Sequence, residues 1–146
     1  MMKPEVAYEL FGTDRLQNYT QAASGDIKGA LELHLWNSLL ASAYWRHIEC
    51  IEIFMRKRIS SALFEGGLVT REKLNEITTG WFTLESETKP YSQMTFGFWT
   101  YLLSPQNANK IWTPTLHKWF KQGVSRKVLH SNAKQVQILR NRIGHH

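Results

Sequence analysis

A second cysteine, acid in the C-terminal part and long apolar runs are what this sequence lacks. Its one cysteine, Cys50, excludes a disulfide framework within the chain. Apolar stretches such as LLASAYW fall far short of the roughly 20 residues that cross a bilayer. The opening MMKPEVAYEL carries no basic stretch leading into an apolar run. No membrane partner is expected, and a cytoplasmic location is. Metal ligands are sparse as well. His47 and Cys50 lie one helical turn apart, but two ligands with no others make a poor zinc site, and no metal or other cofactor is expected.

The last acid is Glu87. Residues 1–87 hold nine Lys or Arg against twelve Asp or Glu, whereas residues 88–146 hold nine Lys or Arg and no acid, so a net charge of +6 conceals a strongly basic C-terminal part. Four of the six histidines lie there too. A sign split of this kind attracts a polyanion to one side of a protein; a solvated basic surface is its ordinary alternative use. With 42% apolar and 21% charged residues, the 146-residue chain has a globular composition and the length to bury a core. A single domain over 1–146 is expected.

Helix punctuation is frequent and strand alternation is hard to find. Thr13, Asp26, Thr70 and Ser125 each precede a helical pattern and read as N-caps. About forty residues without proline follow Asp26, enough for one bent helix or two consecutive ones, and Gly66-Gly67 should stop the pattern. KPYSQMTFGFWTYLLSPQ reads as a short aromatic helix between Pro90 and Pro105. Its Phe96, Phe98 and Trp99 could stack on bases, but core packing is the expected use of aromatics at helical spacing. The expected architecture is all-α, a compact helical bundle with short connections.

Two stretches carry candidate chemistry. In HIECIEIFMRKRISSAL, Ile48, Ile51, Met55, Ile59 and Ala62 share a stripe, and Glu52 falls inside it. Arg56 follows four residues later, the favourable order for an ion pair. That pair either trims the edge of the core or orients active-site groups. The closing QILRNRIGHH gathers Arg140, Asn141, Arg142, His145 and His146. Val128, Asn132, Val136, Leu139 and Ile143 form the apolar stripe of this last helix, and Arg140 flanks it. Gly144, just past the helix, could let the chain turn so that His145 comes round to Arg140. Arg-x4-His is a weak pattern by itself, since roughly one match is expected by chance among eight Arg and six His. Cations in a last helical turn also stabilise the helix through its dipole, and terminal histidines also occur as purification tags.

Four ordered segments raise the value of the pattern. TDRLQNYTQAASGDIKGALELHLWN, IEIFMRKRI, MTFGFWTYLL and LRNRIGHH together resemble the Abi-like family of bacterial abortive-infection proteins, within the HEPN superfamily of small helical ribonucleases and their inactive relatives. The resemblance aligns Glu52 and Arg56 with the family's glutamate and arginine, and LRNRIGHH with its closing LRNRiaHHEP, so the histidines read as native. Lys57 stands where the family usually has Asn, and His34 where it usually has Tyr. The chain has no EP after His146, so against the family pattern either the domain is cut short at its C-terminal end or the natural protein is short.

The resemblance implies a bundle of the HEPN type and metal-independent RNA cleavage of the phage-defence or toxin kind. Arg140 and His145 take the catalytic positions, and Asn141, Glu52, Arg56 and His146 support them. Arg142, Lys134 and Arg126 are the candidate RNA contacts. The chemistry agrees with these residue types: histidine titrates near neutrality and can take a 2′-hydroxyl proton, and the arginine fork can hold charge that builds on phosphorus. A homodimer that brings two RNRIGHH ends together is expected, with an antitoxin or other inhibitory partner. The alternative is a non-catalytic RNA-binding or protein-interaction module on the same scaffold.

Overall fold

Asp26 opens the longest helix. Its Oδ1 accepts the backbone N–H of Lys28 at 3.0 Å and its Oδ2 that of Gly29 at 3.1 Å, which satisfies two donors a helix start leaves over. In this computed structural model, which describes residues 4–64, 71–77 and 94–144, the helix runs unbroken over 38 residues, α3 (Ile27–Phe64). At about 1.5 Å per residue it is close to 57 Å long. One helix, not two, fills the stretch. It ends at Phe64, and Gly66-Gly67 lie outside the described residues.

Before it come α1 (Pro4–Phe11) and α2 (Thr13–Ala22). Gly12, not Thr13, holds the N-cap position of α2; its φ of 82° turns the chain between the two helices in a way a side chain would resist. The turn into α3 is a Schellman motif: Gly25 N–H donates to Thr20 O at 2.9 Å and Ser24 N–H to Gln21 O at 3.1 Å. After α3 come α4 (Arg71–Ile77), α5 (Phe96–Leu102) and α6 (Arg126–Gly144), with short 3₁₀ and π turns over Pro105–Asn107, Ala108–Trp112 and Leu116–Trp119. Thr70, read as a cap, lies outside the described residues; α6 begins directly after Ser125, as expected. The described residues are all-α and contain no strand. None of their helices is long and apolar enough to cross a membrane.

The chain divides into two compact units, residues 1–46 and 47–146. In the first, Ala7, Leu16 and Ala30 are buried, and His34 lies 5.2 Å, centroid to centroid, from both Phe11 and Tyr19. Asn37 Nδ2 donates to the Tyr19 hydroxyl at 2.9 Å. In the second, Met55, Ile59, Ala62 and Leu63 of α3 share a core with Leu74 of α4, Phe96, Phe98, Trp99 and Leu102 of α5, and Ala133 of α6. The FGFW aromatics are therefore core, as their spacing implied. Phe98 meets Trp99 edge to face at 5.0 Å, and the buried Trp99 Nε1 donates to Met94 O at 3.3 Å. Asn107, almost fully buried, donates from Nδ2 to Tyr101 O at 2.9 Å, so the polar turn after α5 enters the core without an orphaned amide donor.

Candidate functional site

Glu52 and Arg56 sit on the half of α3 that belongs to the second unit. Arg56 Nη2 donates to Glu52 Oε1 at 2.8 Å, with the side chains 30% and 19% exposed. The pair occupies the edge of the buried stripe, where Ile48, Met55, Ile59 and Ala62 are buried. Ile51, expected in that stripe, is exposed instead. The true face is turned toward Glu52, and a carboxylate there is stable because its cation is one turn away. Arg56 Nε is buried.

The last helix is also rotated from the expected setting. Val128, Asn132 and Leu139 face solvent, whereas Leu129, Ala133 and Val136 pack on the core. The physical reason is size: Ala133 permits the closest approach of α6 to its neighbours, and the larger side chains on either side of it fill the margins. Arg140 lies two turns beyond Ala133 on this same inward side, half-buried with Nε buried. It is central to the inward face and does not merely flank it. Asn141 and Arg142 are exposed. Helix α6 extends through Gly144, so Gly144 is its last residue and not the first one past it. His145 and His146 lie outside the described residues.

Arg126 is also half-buried. Its Nη1 donates to Leu103 O at 2.7 Å, which ties the start of α6 to the end of α5 and uses a carbonyl that the helix end leaves over. Lys134 is exposed, its Nζ 3.4 Å from Gln137 Oε1. Between Arg126 and Lys134, one turn from each, stands His130, which sequence reasoning passed over. Burial, then the charges of Arg126 and Lys134, hold its imidazole below the ordinary histidine pKa. The signal that could have found it is the four-residue spacing of Arg126, His130 and Lys134, which puts three basic side chains along one ridge.

The structure thus pairs Glu52 with Arg56, sets Arg140 inward, and places Arg126 and Lys134 around His130. Among the described residues no group of three or more His, Cys, Asp or Glu is placed to hold a metal ion. Compared with protein-family models, with curated proteins and with solved structures, the chain finds no match.

Proposed function

We propose that this chain is a metal-independent endoribonuclease of the phage-defence or toxin type, a member of the Abi-like HEPN proteins it resembles, acting in the cytoplasm. The observation that carries the reading is Arg140. A cation serving only the helix dipole would extend into water, as Arg142 does, whereas Arg140 holds its Nε buried on the inward side of α6. It does so within a segment of nine cations and no acid.

In this mechanism His145 takes the proton of the RNA 2′-hydroxyl, and the freed oxygen attacks phosphorus. The bond to the departing 5′-oxygen breaks, leaving a 2′,3′-cyclic phosphate. Arg140 holds the charge that develops on the phosphoryl oxygens, with Asn141 and His146 beside it. Glu52 and Arg56 orient these groups, and Arg142, Lys134 and Arg126 supply attraction to the RNA backbone that weakens as salt rises. The departing oxygen needs an acid on the side opposite the base. A homodimer that joins two such ends supplies one, and an inhibitory partner would restrain it.

The exposed apolar side chains of α3 favour a second reading, a non-catalytic binding module. Labelled RNA incubated with the purified chain separates the two. Cleavage that survives EDTA, spares DNA and disappears in His145→Ala supports the enzyme. Activity abolished by EDTA and restored by Mg²⁺ would sink this mechanism, and retained binding without cleavage would favour the module.

A further inference from the structure

One flank of α6 is polar along its whole length. At about 100° per residue, Arg126, His130, Lys134, Gln137 and Asn141 fall within a sector of roughly 80°, and the only other residue of Arg126–Gly144 in that sector is Gly144. Across the inward row of Leu129, Ala133, Val136 and Arg140, the other flank is mainly apolar, with Val128, Leu139 and Ile143. The polar row begins beside the core. Arg126, His130 and Gln137 are half-buried, while Lys134 and Asn141 are exposed. Two of its members are held from the start, Arg126 by its 2.7 Å bond to Leu103 O and Gln137 by Lys134, whose Nζ donates to Oε1 at 3.4 Å. Such ordering lowers the cost of fixing these side chains on a ligand.

We propose that this flank is a track for a single RNA strand, about one nucleotide to each side chain, leading to Arg140 at its far end. Four residues of helix advance about 6 Å, which is of the order of the separation between successive phosphates of a strand, and the row from Arg126 to Asn141 is about 22 Å long. The side chains are graded along it. Arg126, His130 and Lys134, distant from the motif, suit phosphates; Gln137 and Asn141, near Arg140, are neutral amides that donate and accept, as a 2′-hydroxyl does.

Other occupants fit this row less well. The strands of an A-form duplex wind away from a straight row, and the deep, narrow major groove is closed to side chains. An acidic protein segment would suit the three basic groups but gives the two amides nothing to select. A groove that follows one backbone is the ordinary device for single strands.

The proposal rests on RNA being the partner, as in the reading above, and not on cleavage. Binding is followed by fluorescence anisotropy on the full chain carrying His145→Ala, so that no strand is cut and failure to cleave is a separate result. Affinity for oligouridylate should rise with length until the five side chains are engaged, and should exceed that for the same strand paired with oligoadenylate by about tenfold. Lys134→Ala should weaken binding about fivefold and lower the slope of log affinity against log salt by about 0.7. Arg46→Ala removes the same charge from an exposed position on α3 and should change affinity by less than about twofold. Gln137→Ala should keep the salt slope and reduce the preference for RNA over DNA.

Neutral methylphosphonate linkages, placed singly in a strand of the length at which affinity levels, locate each contact at pH 6. The phosphate whose neutralisation costs nothing further in Lys134→Ala should be the immediate neighbour of the one that costs nothing further in His130→Ala. One shared phosphate for both, tighter binding to the duplex, or equal effects of Lys134→Ala and Arg46→Ala overturns the track, as does absence of RNA binding. Polyglutamate competing as well as the strand would also overturn it and assign the row to an acidic protein segment.

Discussion

The two halves of α3 share an inward and an outward side and differ in how much the inward side buries. After Arg46 it buries Ile48, Met55, Ile59, Ala62 and Leu63, whereas before it Ala30 is buried and His34, Asn37 and Ala41 are half-buried; on the outward side Leu35, Trp36 and Leu39 of the first half and Ile53 and Phe54 of the second stand in solvent. Apolar content does not explain the difference. The second half has α5 to pack against, with its three fully buried aromatics, while the first half has α1 and α2, which bring little beyond Ala7 and Leu16 to a core. Periodicity tells which residues can be buried together; a neighbour of sufficient bulk decides whether they are.

Substituting matched tryptophans sharpens this contrast most. Trp99 is fully buried with its indole N–H satisfied, so Trp99→Ala should lower unfolding free energy by about 3–5 kcal/mol. Trp36→Ala should cost less than about 0.5 kcal/mol when unfolding is followed on dissociated protein, since the side chain already faces water. Equal losses in urea titrations would erase the distinction between the two halves.

A matched pair of glutamates gives the next effect. Glu52 has its Arg56 bond at 2.8 Å in a mostly buried setting, and its loss leaves the guanidinium uncompensated. Glu52→Ala should cost about 1–2 kcal/mol and reduce RNA cleavage as well, the range lying between exposed and buried ion pairs. Glu32→Ala, in contact with Lys28 at 3.8 Å on the exposed surface, should change the intrinsic stability of the dissociated chain by less than about 0.5 kcal/mol. A Glu52→Ala protein as stable and as active as the parent would remove any special role for the pair.

Much of this was legible in the residues. The Asp26 cap, the helical character of the run after it (though not its continuity) and the proline-bounded aromatic helix follow from local rules, and Glu52-x3-Arg56 announces its own ion pair. The rotation of α6 was not legible. It carries apolar residues on two adjoining faces that share Val136: Leu129 and Ala133 with it on one, Val128, Leu139 and Ile143 with it on the other. A wheel weighted by size favours the second face, and packing chose the first because alanine allows the closest approach. The same error kept Arg140 at a margin. The turns over 105–119 were equally hidden, since their order comes from tertiary bonds such as Asn107 to Tyr101 O and from the stacking of Trp112 on Phe120 at 5.4 Å.

Arginines on opposite sides of α6 extend the comparison to the site. Arg140→Ala removes an aliphatic stem from the inward side and should cost about 1 kcal/mol while abolishing cleavage. Arg142→Ala, at an exposed position, should leave stability unchanged within about 0.5 kcal/mol and weaken RNA binding mainly at low salt. Single-turnover rates and thermal melts on the two proteins separate these outcomes. Full activity in Arg140→Ala would end its assignment to catalysis.

The smallest expected effect concerns His130, where burial, then Arg126 and Lys134, lower the pKa of the folded protein. The unfolded chain keeps an ordinary histidine value of about 6.5, so between the two values the unfolded state binds more protons. Stability from this group is therefore intact above pH about 6.5 and declines as pH falls through that value toward the lowered one. His130→Gln should flatten this part of the acid-side decline in denaturant titrations from pH 7.5 to 5. Added salt should recover only the share due to Arg126 and Lys134, because burial is not screened. RNA reverses the sign. A phosphate seated on the Arg126, His130 and Lys134 ridge would favour the protonated imidazole, so RNA should bind more tightly at pH 6 than at pH 7.5, and His130→Gln should lose that difference. Binding whose pH dependence is the same in wild type and His130→Gln would place the RNA elsewhere on the basic segment and leave His130 with a structural role.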